Sequence, residues 1–166
     1  MIKKLLLAVM LIIPAFGFAQ KFAVINTQTI IEAMPEMATA RTQLKASSDK
    51  FEEEFGKLQT TLKNAIAEYE KAEKDASTPQ SIKDRRVQDI QEIQQKMEEF
   101  RNTASQDLQR QQEQLMAPIQ QKLMDAIKGV GADGSYTMIF ENVAPLYTGS
   151  DVEDITAKVK TRLGIK

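Results

Sequence analysis

Three glycines spaced as Gly129-x-Gly131-x-x-Gly134 reproduce the letters of the dinucleotide-binding fingerprint. In that motif glycine backbone lets a pyrophosphate approach the start of a helix. The context here is reversed: helix-favouring sequence precedes the glycines and strand-like sequence follows, so they predict a helix C-terminus near Lys128. Carboxylate runs form a second candidate, Glu52-Glu53-Glu54 and Glu98-Glu99. Paired carboxylates do acid–base work when a pocket drives their pKa values apart. On a charged helix face they are solvated flank charges, and nothing in the sequence supplies a pocket.

The inventory narrows the chemistry further. The chain has no His and no Cys, which removes Ser–His and Cys–His catalysis, thiolate or imidazole metal sites, and disulfides. No GxxxxGK[ST] run is present to bind ATP. With 22 basic and 23 acidic side chains in 166 residues, the basic surface that nucleic acid requires is also missing. No catalytic residue, cofactor or metal is expected. The chain reads as a binding or structural protein.

The elements that would position any binding surface are legible. Residues 1–19 open with Lys3-Lys4, continue through an apolar run from Leu5 to Ile13, and end in Gly17-Phe-Ala19. Nine apolar residues are too few to span a bilayer. The pattern is that of a secretory signal cut after Ala19. Removal of Lys3 and Lys4 leaves residues 20–166 with 20 basic and 23 acidic side chains, a net charge of −3.

Phe22-Ala-Val-Ile-Asn reads as a strand, followed by a short helical piece over 28–34 and then Pro35, suited to a first helical turn. From Glu36 to about Ala76 the apolar residues hold a seven-residue repeat. One row is Met37, Leu44, Phe51, Leu58, Ala65 and Ala72; the other is Arg41, Ser48, Phe55, Leu62, Tyr69 and Ala76. Ten apolar positions in twelve mark a coiled-coil seam. Ser77-Thr-Pro79 breaks it, with Thr78 expected to cap and Pro79 to open a second helix. That helix carries eleven Gln between Gln88 and Gln121 and drifts from heptad steps to an eleven-residue repeat. The mismatch predicts a tight seam near the turn and a looser base. Pro118 lies within the helix, where it removes a backbone hydrogen bond and is the candidate hinge.

A turn this short folds the chain back into an antiparallel hairpin. Beyond it, Tyr136–Phe140 reads as a strand. Ser150-Asp-Val-Glu153 reads as a capping box opening a last helix, with Val152, Ile155, Val159 and Leu163 on one face. The fold class is mainly α, a long helical hairpin with a small strand-containing body and a short C-terminal helix. We divide it into the signal at 1–19, a body of 20–35 with 129–166, and an arm over 36–128 whose tip is near 77–79.

Two weaker features remain. Lys83, Arg85 and Arg86 lie near the tip and read either as an attraction to anionic lipid or lipopolysaccharide or as a solvated helix start. Ile66, Ile82 and Met116 miss both seams. They read equally as weak apolar contacts for an unfolded client and as single exposed hydrophobes.

The opening strand, the helix at Pro35-Glu36, the Gln- and Glu-rich hairpin and above all the ending Tyr147-Thr-Gly-Ser-Asp-Val-Glu-Asp-Ile-Thr-Ala157, then Lys158-Val159, resemble the Skp/OmpH family of periplasmic chaperones. The resemblance implies a homotrimer whose strands form a small barrel-like body, with Phe22, Val24, Ile25, Met138, Ile139 and Phe140 as body candidates. It implies three arms around a cavity and an ATP-independent holdase for unfolded outer-membrane proteins in the periplasm. The best-known members are strongly basic, whereas this mature chain is at −3, which makes apolar capture the claim to test. A coiled-coil scaffold or adaptor without client-holding activity is the alternative.

Overall fold

A computed structural model describes residues 20–165. The proposed signal and its cleavage after Ala19 lie outside the described residues. Along the chain run strand β1 (Phe22–Ile25), helices α1 (Thr27–Ala33), α2 (Pro35–Lys74) and α3 (Gln80–Asp133), strands β2 (Met138–Glu141) and β3 (Glu153–Asp154), and helix α4 (Thr156–Arg162). The described residues form two compact units, Gln28–Asp125 and a second made of 20–27 with Ala126–Gly164. Among the described residues, no helix is long and apolar enough to cross a membrane.

The unit Gln28–Asp125 contains the hairpin of α2 and α3. Partners run in opposite order along the two helices. Lys122 meets Glu36, Phe100 meets Phe51 and Phe55, and Arg86 meets Glu68. Pro35 opens α2 at its first turn, where its missing N–H costs nothing. At 1.5 Å per residue, the 40 residues of α2 extend about 60 Å. The heptad rows agree with burial: every member from Met37 to Ala72 on the first row, and Ser48 to Tyr69 on the second, is half-buried. Arg41 and Ala76 are exposed.

On α3, Ile90, Ile93, Met97 and Phe100 are half-buried, whereas Ala104, Ile119 and Leu123 are buried. Burial therefore deepens away from the turn, opposite to the expected gradient. The open stretch lies in between, where Ser48 and Ser105 are too small to fill the space and leave a groove beside Leu44 and Leu108.

The turn itself differs from expectation in its capping. Asp75 organises it: Oδ1 accepts the Ser77 N–H at 2.8 Å and the Ser77 hydroxyl at 2.6 Å, and Oδ2 accepts the Thr78 hydroxyl at 3.1 Å. Thr78 is thereby committed to Asp75 and does not cap α3. Pro79 stands one residue before the helix, its carbonyl accepting the N–H groups of Ile82 and Lys83 at 3.0 and 3.3 Å. Those bonds from Ser77 and Thr78 hold the Asp75 carboxyl below its ordinary pKa.

The other unit contains a three-stranded sheet in the order β2-β1-β3, with both pairs parallel. Phe22 pairs with Met138 and Val24 with Phe140, while Ala23 pairs with Ile139 and Ile25 with Glu141. Alternation along the strands puts Ala23, Ile25 and Ile139 on one face, and Phe22, Val24, Met138 and Phe140 on the other. Ile155 and Val159 of the C-terminal segment are fully buried.

Two boundaries shift here. Helix α3 continues through Gly129 and Gly131 to Asp133, five residues past its expected end. The C-terminal helix starts at Thr156, so the expected capping box at Ser150–Glu153 does not form. Ser150 bonds only its neighbour Asp151 at 3.3 Å, Glu153 enters β3, and Asp154 Oδ1 accepts the Thr156 N–H at 2.8 Å.

Candidate functional site

The glycine motif resolves into packing. A Cβ on Gly129 would lie 2.4 Å from the Arg162 guanidinium, one on Gly131 would lie 3.2 Å from Ile139 Cδ1, and one on Gly134 would lie 2.1 Å from the Tyr136 ring. The three glycines thus admit side chains from α4, from β2 and from the link between α3 and β2. None has positive φ, so close approach and not backbone freedom explains them. No helix opens at the motif, and the nucleotide reading has no place to form.

Around Tyr136 a polar cluster ties together the start of β1, the end of α3, β3 and α4. Its hydroxyl donates to Glu153, Lys158 Nζ stands 3.1 Å from that hydroxyl and 2.5 Å from Glu153, and Lys21 Nζ lies 4.2 Å above the ring. Hydrogen bonds from Lys158 and Tyr136 hold the Glu153 carboxyl at about 2, and Glu153 raises the Lys158 ammonium in return. Every charge here is satisfied by a neighbour, which makes the cluster a fastening rather than an acid–base site. The isolated carboxylates give no site either. Glu53 and Glu54 pair with Lys57 at 3.0 and 2.6 Å, and a hydrogen bond from Lys122 lowers the Glu36 pKa. Among the described residues no cluster of acidic side chains is arranged to hold a metal.

What remains is apolar surface. The six body candidates divide between the two sheet faces. Val24 and Ile25 are buried and Phe22 and Ile139 half-buried, but Met138 is 55% and Phe140 42% exposed. Phe22 and Phe140 approach with ring centroids 6.4 Å apart. Beside them runs a groove of about 530 Å³ whose lining, from Phe22, Val24 and Phe140 to Pro145, Tyr147 and Val152, carries no charge. The loop after β2 adds Val143, Leu146 and Tyr147, all largely or wholly exposed. The sequence readings above give Val143 and Leu146 no role. Its signal was available, since nine consecutive residues from Asn142 to Ser150 lack any charge and three of them are large and apolar.

On the hairpin, Ile66 and Ile82 are 38% and 47% exposed. Met116 is half-buried beside Gln112, Glu113 and Gln120, so the three do not form one patch by burial. Pro118 lies in the interior of α3 and lines a shallow pocket with Ala40, Leu115 and Ile119. Near the tip, Arg85 pairs with Asp89 at 3.0 Å and Arg86 with Glu68 at 2.6 Å, while Lys83 reaches the Glu73 carbonyl at 3.3 Å. Each basic residue of that group thus faces an oxygen of the hairpin itself.

Comparison with known proteins agrees with this layout. A family model described as outer membrane protein (OmpH-like) matches residues 21–163. Chaperone protein Skp of Photorhabdus luminescens is 30% identical over 144 residues, covering 85% of this chain and 84% of the relative. Chaperone protein Skp of Yersinia enterocolitica is 26% identical over the same length, with the same coverage.

Proposed function

The chain belongs to the OmpH-like outer membrane protein family, and from that membership we propose that it is a periplasmic, ATP-independent holdase for unfolded outer-membrane proteins. Residues 1–19 direct export and are removed after Ala19. Three copies join through a body made of 20–35 and 129–166, and the arms over 36–128, tipped near 77–79, enclose the client. Pro118 lets an arm bend, and Ile66, Ile82 and Met116 offer the guest weak apolar contacts. Capture is mainly apolar, because the mature chain is at −3. Lipid contact through Lys83, Arg85 and Arg86 is not part of the proposal, since each already faces an oxygen of the hairpin.

The observation that carries the reading is the uncovered apolar sheet face at Met138 and Phe140. Two edge strands and such a face are a liability for a lone chain and are relieved by assembly. The names of the relatives supply the chaperone class.

The test mixes residues 20–166 with an unfolded outer-membrane β-barrel protein diluted from denaturant, without ATP, across a series of salt concentrations. A soluble complex on gel filtration that persists or strengthens as salt rises is expected for apolar capture. A steep loss with salt would replace apolar by electrostatic capture. A stable oligomer that forms no complex at any salt would leave the scaffold reading in its place.

A further inference from the structure

The loop that closes one side of the sheet groove also carries a side chain that cannot use it. Pro145 and Tyr147 line the groove against Phe22 and Phe140, yet Leu146 between them is fully exposed and does not line it. Val143 and Tyr147 are also 84% and 85% exposed. We propose that Leu146 of one copy seats in the Phe22–Phe140–Val152 groove of the next, so that each copy presents one knob and one socket. This rests on the self-assembly proposed above and says how it is achieved.

Three observations favour a second copy over other occupants. At roughly 200 Å² per large side chain, the exposed parts of Met138, Phe140, Val143, Leu146 and Tyr147 amount to about 700 Å². That approaches the ~800 Å² that each partner contributes to a standard interface. Next, neither surface is charged: the groove lining has no ionisable side chain except the Tyr147 phenol, and Asn142–Ser150 has none besides it. Uncharged surface facing uncharged surface leaves no unpaired charge to desolvate. Finally, a small ligand in the groove would leave Leu146 and Val143 in water, whereas a second copy covers knob and socket in one contact. Because the two surfaces differ, the contact is head-to-tail, and with the three copies proposed above it closes into a ring.

The test follows assembly of residues 20–166 by analytical ultracentrifugation, with circular dichroism to establish folding. Leu146 is fully exposed in the single chain, so Leu146→Asp folds as the parent does. It is expected to raise the midpoint concentration of assembly by at least about tenfold, because the ring would bury its charge. Phe140→Asp blocks the socket instead. Mixing the two variants restores one knob–socket contact per pair, and a heterodimer is expected where each variant alone is monomeric. A parent ring whose mass is unchanged by Leu146→Asp would overturn the knob while leaving assembly intact. Loss of assembly in Leu146→Asp with no heterodimer on mixing with a folded Phe140→Asp would overturn the head-to-tail pairing. A monomeric parent would overturn the proposed assembly and this contact together. Unchanged mass with lost client binding in Leu146→Asp would assign the loop to clients.

Discussion

Replacing Phe100 by alanine tests whether a narrow seam holds the arm together. Phe100 meets Phe51 edge-on, with centroids 6.0 Å apart, and stacks on Phe55 at 6.4 Å. Among the described residues it is therefore the one ring paired with both heptad rows of α2. Full burial would make Phe→Ala cost about 3–5 kcal/mol. Phe100 is half-buried, which reduces the transfer part to roughly 2 kcal/mol, and losing two ring pairs adds about 1 kcal/mol. A total near 3 kcal/mol corresponds to a fall in Tm of about 10 °C for a chain of this size. Thermal unfolding followed by circular dichroism at 222 nm reads it directly. Ile82→Ala serves as the comparison, since Ile82 is 47% exposed and lies off the seam, and its effect is expected within about 0.5 kcal/mol. Equal shifts for the two variants, or a Phe100→Ala shift under about 2 °C, would refute the seam as the source of arm stability.

The remaining predictions concern the fastenings of the sheet-containing unit. Glu153 has its folded pKa depressed from 4.5 to about 2, so its contribution is complete above 4.5 and lost as pH falls toward 2. Lys158 is raised above 10.5, so its contribution is complete below that value and lost above. With no His or Cys titrating between, Tm is expected to stay level from about pH 5 to 9 and to fall in acid. Glu153→Gln should lower Tm at neutral pH and flatten the acid fall; a transition centred near pH 6.5 would contradict this. Gly129→Ala gains about 1 kcal/mol of helix propensity and displaces only the flexible Arg162 end from Asp133, a surface pair worth at most about 1 kcal/mol. It should leave Tm nearly unchanged. Gly134→Ala must move the Tyr136 ring out of its cluster and should lower Tm clearly; the opposite ranking of the two glycines would refute their packing roles.

Much of the hairpin was readable because its signal is periodic. Positions from Met37 to Ala72 repeat every seven residues, and the structure half-buries each of them. The end of α3 was not readable, because glycine propensity argues for termination while the gain from admitting Arg162 and Ile139 side chains depends on distant sequence. Ser150 failed as a cap for a related reason. Glu153 is engaged by Tyr136 and Lys158 and by strand pairing with Ala23, and these long-range partners outweigh a local capping box. The strands themselves were legible at Phe22 and Met138, but β3 has only two residues and no pattern of its own. The exposed Leu146 loop was missed because Pro145 and Gly149 interrupt any strand or helix period there, so its apolar side chains carry no periodic signal.

Native mass spectrometry of residues 20–166 with an unfolded outer-membrane β-barrel protein, prepared without nucleotide, tests the central claim most directly. The account predicts a trimer alone and a complex of three copies with one client, forming as light scattering from the client is suppressed. A chain that stays a trimer, binds no client and leaves the scattering unchanged would contradict it.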